Sequence, residues 1–308
     1  MNKKRKTRLF ITSLIGLRTW KIYFKILEKS ISNKVIHSTF LKLQNQDKLR
    51  HNTPMTNLNK PIIGRLCDYE IIQTDDGSFA INSDYFKEIT HSTAGAREET
   101  VHNFINGCMI KEKVQESTKN NPLNILEIGF GLGVGFLETA KTLKDSGHCQ
   151  FVSFEIDDLL VINGINDGPY QTQFKDFDVK INHESVSIEN EVIKGLILLG
   201  DARKLILKEK LNEIKFHCVF QDAFSPKKNP TLWTKEWFKD INLRCHDQAL
   251  LTTYSASARV RDALLSSGWE VEQRPGFAHK RAMSRAIKNQ NKKLTDIGNP
   301  LSDLDKET

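Results

Sequence analysis

Apolar and polar positions alternate in blocks along most of the chain. Residues 124–129 form a short apolar run, and a helical period follows within 131–143. Further short apolar runs occupy 150–157, 196–199, 216–224 and 249–254, with a helical stretch from 199 through Leu205 and another over 256–266 that Gly268 ends. Runs of this length read as strands, and strands alternating with helices predict a mainly parallel, doubly wound α/β sheet. Residues 269–287 fit an antiparallel strand pair closing one edge of that sheet.

Ahead of this core, residues 69–74 and 78–82 are β-prone and flank Asp75-Asp76-Gly77. Asp-Gly between two such runs predicts a hairpin. Residues 95–113 read as a helix with Val101, Phe104, Ile105 and Cys108 on one face. The expected organisation is a hairpin-and-helix extension at 61–122, a core at 123–288, and a polar, disordered tail at 289–308.

Residues 1–60 stand apart as a basic leader. They hold fourteen Lys or Arg and two acids, a net of +12 within a chain whose total is +7. The remainder is therefore slightly acidic, so net charge alone does not argue for a nucleic-acid partner. The leader begins Lys3-Lys4-Arg5-Lys6, and its apolar stretch to Leu17 is interrupted and closed by Arg18. A transit-like leader, a basic arm touching RNA and translated sequence upstream of a start at Met55 are three readings. The third is preferred, because recognisable domain sequence begins soon after Met55. No apolar run approaches the roughly 18 residues of a membrane span. The five cysteines are never spaced C-x-x-C and the nine histidines are scattered, which predicts a cytoplasmic protein without disulfides or a metal.

The densest chemical signal is Glu127-Ile128-Gly129-Phe130-Gly131-Leu132-Gly133-Val134-Gly135, where the first core strand turns into a helix. Ligands bind doubly wound sheets at such strand ends. The dinucleotide pattern G-x-G-x-x-G fails in both frames, because Val134 and Phe136 stand at the third glycine position. A phosphate loop is missing its G-K-[ST]. E-x-G-x-G-x-G resembles the first motif of class I methyltransferases, which bind S-adenosylmethionine. Glu155 ends the second strand, where a carboxylate can accept ribose hydroxyls. Asp201 follows the third, where an acid can meet the adenine amino group or simply cap a helix. Asp222 follows the fourth strand, which faces the transferred methyl in that fold.

The loop Asp222-Ala223-Phe224-Ser225-Pro226-Lys227-Lys228-Asn229-Pro230-Thr231-Leu232-Trp233 resembles the methyltransferase component of the MnmC proteins, which complete the 5-methylaminomethyl group on the wobble uridine of certain tRNAs. Asp76-Gly77-Ser78 with residues 91–99, the glycine turn, and Pro275-Gly276-Phe277-Ala278-His279-Lys280-Arg281-Ala282-Met283 also resemble that family. The resemblance covers about residues 66–288. It implies a Rossmann-like class I methyltransferase fold and methylation of an aminomethyl group on tRNA. Asp222 is then the catalytic candidate, and Glu127, Gly129, Gly131, Gly133, Glu155 and Asp201 hold S-adenosylmethionine. His91 and Glu98 shape the acceptor pocket beside Ser225 and Pro226, Trp233 stacks on a ring or caps the pocket, and Lys227, Lys228, Lys280 and Arg281 meet tRNA phosphates. Trp233 has ordinary packing as its alternative. Bifunctional members add a FAD-dependent oxidase domain. The length of this chain leaves no room for one, so a stand-alone form without FAD is expected, fed by other enzymes of the wobble-uridine pathway. A spermidine-synthase-like aminopropyltransferase is the main rival, with small-molecule amine methylation as a third reading. Lys227 and Lys228 make the loop a poor site for a polycation.

Overall fold

The computed structural model describes residues 60–143 and 147–289. The expectations for the leader and the tail fall outside these residues.

The core is a nine-stranded sheet. Its strands are β5 (Leu123–Ile128), β6 (Cys149–Glu155), β7 (Asp178–Ile181), β8 (Ser185–Glu189), β9 (Ile193–Leu199), β10 (Phe216–Gln221), β11 (Cys245–Thr253), β12 (Trp269–Pro275) and β13 (Ala282–Lys288). The order is β12-β13-β11-β10-β5-β6-β9-β8-β7. The pairings from β11 through β9 are parallel, and the outer strands on both sides pair antiparallel. The sheet is thus of the mainly parallel α/β class the sequence predicts.

Strand pleating explains the apolar runs. Along β5, β6, β10 and β11, Ile125, Phe151, Cys218 and Leu250 enter one core, while Leu126, Val152, Val219 and Leu251 enter another. A strand covered on both faces needs apolar residues at successive positions, which removes the usual alternation. The covering helices are α3 (Val134–Leu143), α4 (Asp158–Asp167), the short α5 (Gln171–Phe174), α7 (Lys235–Leu243) and α8 (Ala258–Ser266). Asp157, Thr234 and Ser257 cap three of these by accepting an N–H from the first turn.

The N-terminal extension is a four-stranded antiparallel sheet of β1 (Ile62–Ile63), β2 (Asp68–Gln73), β3 (Phe79–Ser83) and β4 (Glu88–Ile89). The predicted hairpin is β2–β3, with Gly77 at φ +77° in its turn. Asp76 in that turn accepts from Thr74, from Ser78 and from the backbone N–H of Glu98. Burial works to raise the Asp76 carboxyl, but these hydrogen bonds win and bring it to about 2.

The single helix predicted over 95–113 is instead broken into pieces. The chain forms α1 (Ala96–Thr100), a π turn (Val101–Asn106) and, after a break, α2 (Ile110–Lys113). The break comes at Met109, which has a left-handed φ of 57°. The predicted apolar face still packs inward: Phe104 stacks on Phe220 at 5.2 Å, and Cys108 Sγ lies 3.3 Å from Thr252 Oγ1. Gly107 lies too close to the Asn103 carbonyl to carry a side chain.

Candidate active site

Chain order reverses between β5 and β10, so their carboxyl ends meet at the topological switch point. The Asp222 N–H donates to the Ile128 carbonyl at 3.2 Å. A cleft of about 590 Å³ opens there, within the usual range for small-molecule sites.

One half of the cleft is built on the glycine turn. Gly129, Gly131 and Gly133 have φ of +94°, +51° and +78°. A Cβ at Gly131 would meet nothing within 4 Å, so this glycine leaves open space where a ligand can approach the backbone. Gly135 has a different role: its missing Cβ makes room for Oε1 of Glu127. Glu127 is buried at 2% exposure and accepts from Ser153 Oγ at 2.7 Å. Burial holds its carboxyl well above the usual range, and Asp222 and Glu155 add to the rise. Glu155 accepts backbone N–H groups from Gly131, Ile156 and Asp157. Those bonds use about three of the four acceptor positions of a carboxylate, so its first task is to pin the glycine turn to β6. Burial still raises its pKa. Asp201 caps helix α6 (Ala202–Leu205) by accepting from Arg203 N–H, and it pairs with the Arg203 guanidinium at 2.8 Å. Asp201 thus caps the helix and also lines the cleft.

The other half collects residues from distant parts of the chain. Asp222 is half-buried, and burial pushes its carboxyl up to about 7, with His91 and Lys280 opposing and Glu99 reinforcing. Glu99, 3% exposed, is the hub of this half. It accepts from Ser92 N–H at 2.7 Å and from Lys280 Nζ at 2.8 Å, and it lies 3.8 Å from His91 Nδ1. Burial alone would raise Glu99, yet His91 and Lys280 bring it down to about 2. Burial would lower His91, but Glu99 and Asp222 together raise it. Lys280 also lies 4.6 Å from the centroid of Tyr254, whose hydroxyl donates to the Ala223 carbonyl. A base, a cation and a buried acid therefore stand around one space, an arrangement suited to holding an amine and moving its proton.

Several predicted residues lie elsewhere. Glu98 is exposed and serves the Asp76 turn, whereas its neighbour Glu99 faces the cleft. Trp233 is 3% exposed, donates to the Phe224 carbonyl and packs against Phe238 and Tyr254, so it is core rather than a stacking platform. Ser225 and Pro226 shape the loop: the Ser225 carbonyl accepts from Lys228 and Asn229, which closes a turn. Lys227 is exposed outside the cleft, while Lys228 lines it. Likewise Lys280 lines the cleft and the exposed Arg281 does not. Gln221 is fully buried and bridges Leu232 and Trp237. Glu99 and Tyr254 were the residues missed. The paired acids Glu98-Glu99 were the only available signal for the first, and nothing local marks Tyr254.

A family model described as S-adenosyl-L-methionine-dependent methyltransferase matches residues 170–289. An uncharacterized protein of Methanocaldococcus jannaschii is 28% identical over 235 residues, covering 75% of this chain and 62% of that protein. The tRNA 5-methylaminomethyl-2-thiouridine biosynthesis bifunctional protein MnmC of Leptospira interrogans is 31% identical over 219 residues, covering 65% of this chain and 32% of that protein. The chain thus spans about a third of the length of this bifunctional relative. The crystal structure of MnmC2 from Aquifex aeolicus superposes with a TM-score of 0.58 at 26% identity, over 88% of this chain and 83% of that one.

Proposed function

We propose that this chain, an S-adenosyl-L-methionine-dependent methyltransferase of the MnmC type, methylates the primary amine of a 5-aminomethyl group on the wobble uridine of tRNA. The observation that carries this reading is the cluster of Asp222, His91, Glu99 and Lys280 facing the glycine turn across one cleft.

The glycine turn, Glu155 and Asp201 are the groups we assign to S-adenosylmethionine, and the open space at Gly131 and Gly200 fits a ligand lying against the backbone. When bound, that molecule supplies an electrophilic methyl on a sulfonium. The chain's own residues have two tasks. They must hold the amine in line with the methyl, because much of the acceleration comes from orientation. They must also take up a proton, because an ammonium has no lone pair to attack with. Asp222, held near neutrality, is matched to proton transfer at physiological pH. Tyr254 fixes the backbone beside it through the Ala223 carbonyl. Glu99 holds both Lys280 and His91 in place.

An earlier reaction must put the primary amine on uridine C5, so we assign that step to another enzyme of the pathway. Lys228 and Lys280 in the cleft wall disfavour a polycationic acceptor, which counts against aminopropyl transfer to a polyamine. All five cysteines are free thiols, which suits a reducing cytoplasm. Among the described residues no helix is long and apolar enough to cross a membrane.

Methyl transfer from labelled S-adenosylmethionine to tRNA from cells lacking the terminal methyltransferase tests the reading. Label is expected at the wobble uridine. In Asp222→Asn, kcat should fall roughly 100-fold or more, with affinity for S-adenosylhomocysteine kept. Absence of label from tRNA, with the cofactor product still bound, would overturn the assignment.

A further inference from the structure

The extension carries a feature that methyl transfer as such does not require. β3 and β4 are joined by Asp84-Tyr85-Phe86-Lys87. The Phe86 N–H donates to Ser83 Oγ, and Lys87 has φ 54°, so the chain turns sharply at this tip. Tyr85 is 59% exposed and Ile89 is 37% exposed, and both line the cleft. Large apolar side chains left in water at a cleft wall mark a binding surface.

The tip is fastened to the acceptor loop. Phe86 stacks on Phe224 with ring centroids 4.1 Å apart and planes at 20°. Tyr85 meets Phe86 edge-on at 4.9 Å. The Glu88 carboxylate accepts from Ser225 N–H at 2.8 Å. Phe224 is two residues beyond Asp222, so the aromatic wall is tied to the catalytic candidate by the chain itself. The mutual stack uses one face of Phe86 and of Phe224, which leaves Tyr85 as the exposed ring. Lys228 lines the same cleft and offers a cation.

We propose that the wall of Tyr85, Phe86 and Phe224 is the surface on which the planar base of the acceptor nucleotide stacks, which makes the β3–β4 tip the element that selects the ring carrying the amine. This rests on the assignment of a nucleotide acceptor made above. Unpaired RNA bases are commonly held on aromatic side chains, and such stacking tolerates any base because every base has a π face. A free aliphatic amine has no planar ring to stack on this wall.

The test has two arms on the full chain with S-adenosylhomocysteine or S-adenosylmethionine. In the first, NMR saturation transfer to the ring of the nucleoside 5-aminomethyluridine is measured for wild type, Tyr85→Ala and Tyr85→Phe. Transfer is expected in wild type and Tyr85→Phe and should fall several-fold in Tyr85→Ala. In the second, kcat/KM for tRNA should fall roughly tenfold or more in Tyr85→Ala, with recovery in Tyr85→Phe. Equal ring contact and equal kcat/KM in Tyr85→Ala would overturn the proposal, as would absence of ring contact in wild type. Ring contact without methylation of tRNA would instead defeat the tRNA assignment and leave the wall standing.

Discussion

At the scale of single residues, Asp222 governs pH dependence. Its carboxyl titrates at about 7 in the folded chain, so the ionised, proton-accepting form grows between pH 6 and 8. Methyl transfer should rise through this range with an inflection near pH 7, and the residual activity of Asp222→Asn should lack that inflection. The same shift has a cost. The ordinary value is 3.8, so between roughly pH 4 and 7 the folded chain keeps a proton that the unfolded chain has lost. Stability falls as pH rises through that window. Asp222→Asn should therefore gain melting temperature relative to wild type at pH 8 and gain little at pH 4. Glu99 runs the opposite way. Its folded value of about 2 lies below the ordinary 4.5, so its contribution is present above pH 4.5 and is lost as pH falls toward 2. Glu99→Gln leaves Lys280 and His91 without their buried partner and should cost about 3 kcal/mol at pH 7 in thermal unfolding. The NMR-titrated pKa of His91 should drop in that variant, because Glu99 is one of the charges raising it. An unmoved His91 titration would show that Glu99 does not act on it.

At the scale of elements, the turn from β5 into α3 gives the sharpest contrast. Alanine normally improves a helical glycine position by about 1 kcal/mol. At Gly135 the added methyl would collide with Glu127. Gly135→Ala should therefore lower the melting temperature despite its better helix propensity. Gly131→Ala meets open space at φ +51°. It should cost about 1–2 kcal/mol in stability, with a larger loss of affinity for S-adenosylhomocysteine by calorimetry. Elements were unevenly legible. The strands β5, β6, β10 and β11 show as apolar runs because both faces are covered. The hairpin β7–β8 went unread, although Val179, Ile181, Val186 and Ile188 alternate around a turn at 182–184. Its strands are four and five residues long at the sheet edge, and so short an alternation is weak beside a fully buried strand. The break at Met109 was also hidden, since a left-handed methionine has no local signature.

At the scale of the whole molecule, the extension must stay registered on the core for the cleft to exist. Asp157 is the joint. It caps α4 through Leu160 N–H and accepts from the Arg65 and Leu66 backbone and from the Tyr69 hydroxyl, all within 2.7–3.0 Å. Asp157→Ala should cost about 3 kcal/mol. Hydrogen exchange should rise across β1, β2 and β3 while β5 and β10 stay protected. Acceptor methylation should then fall further than binding of S-adenosylhomocysteine, since the cofactor half rests on the core alone. Equal loss of both would place the joint within the core's own folding.

The sequence by itself determined the sheet class, the position of the glycine turn, and the placement of Glu127, Glu155, Asp201 and Asp222 at strand ends. These follow from local periodicity, because a strand's length and the turn after it are short-range properties. Only the tertiary structure decided which of two neighbours faces the cleft: Glu99 and not Glu98, Lys228 and not Lys227, Lys280 and not Arg281. Trp233 was decided in the same way, as core. The direction of a side chain depends on the rotational phase of a short helix or the exact path of a loop, and packing against distant elements sets that phase. His91 with Glu99, Asp222, Tyr254 and Lys280 come from four separate stretches of the chain and meet only because the sheet order brings the extension, the ends of β10 and β11 and the β12–β13 loop to one switch point.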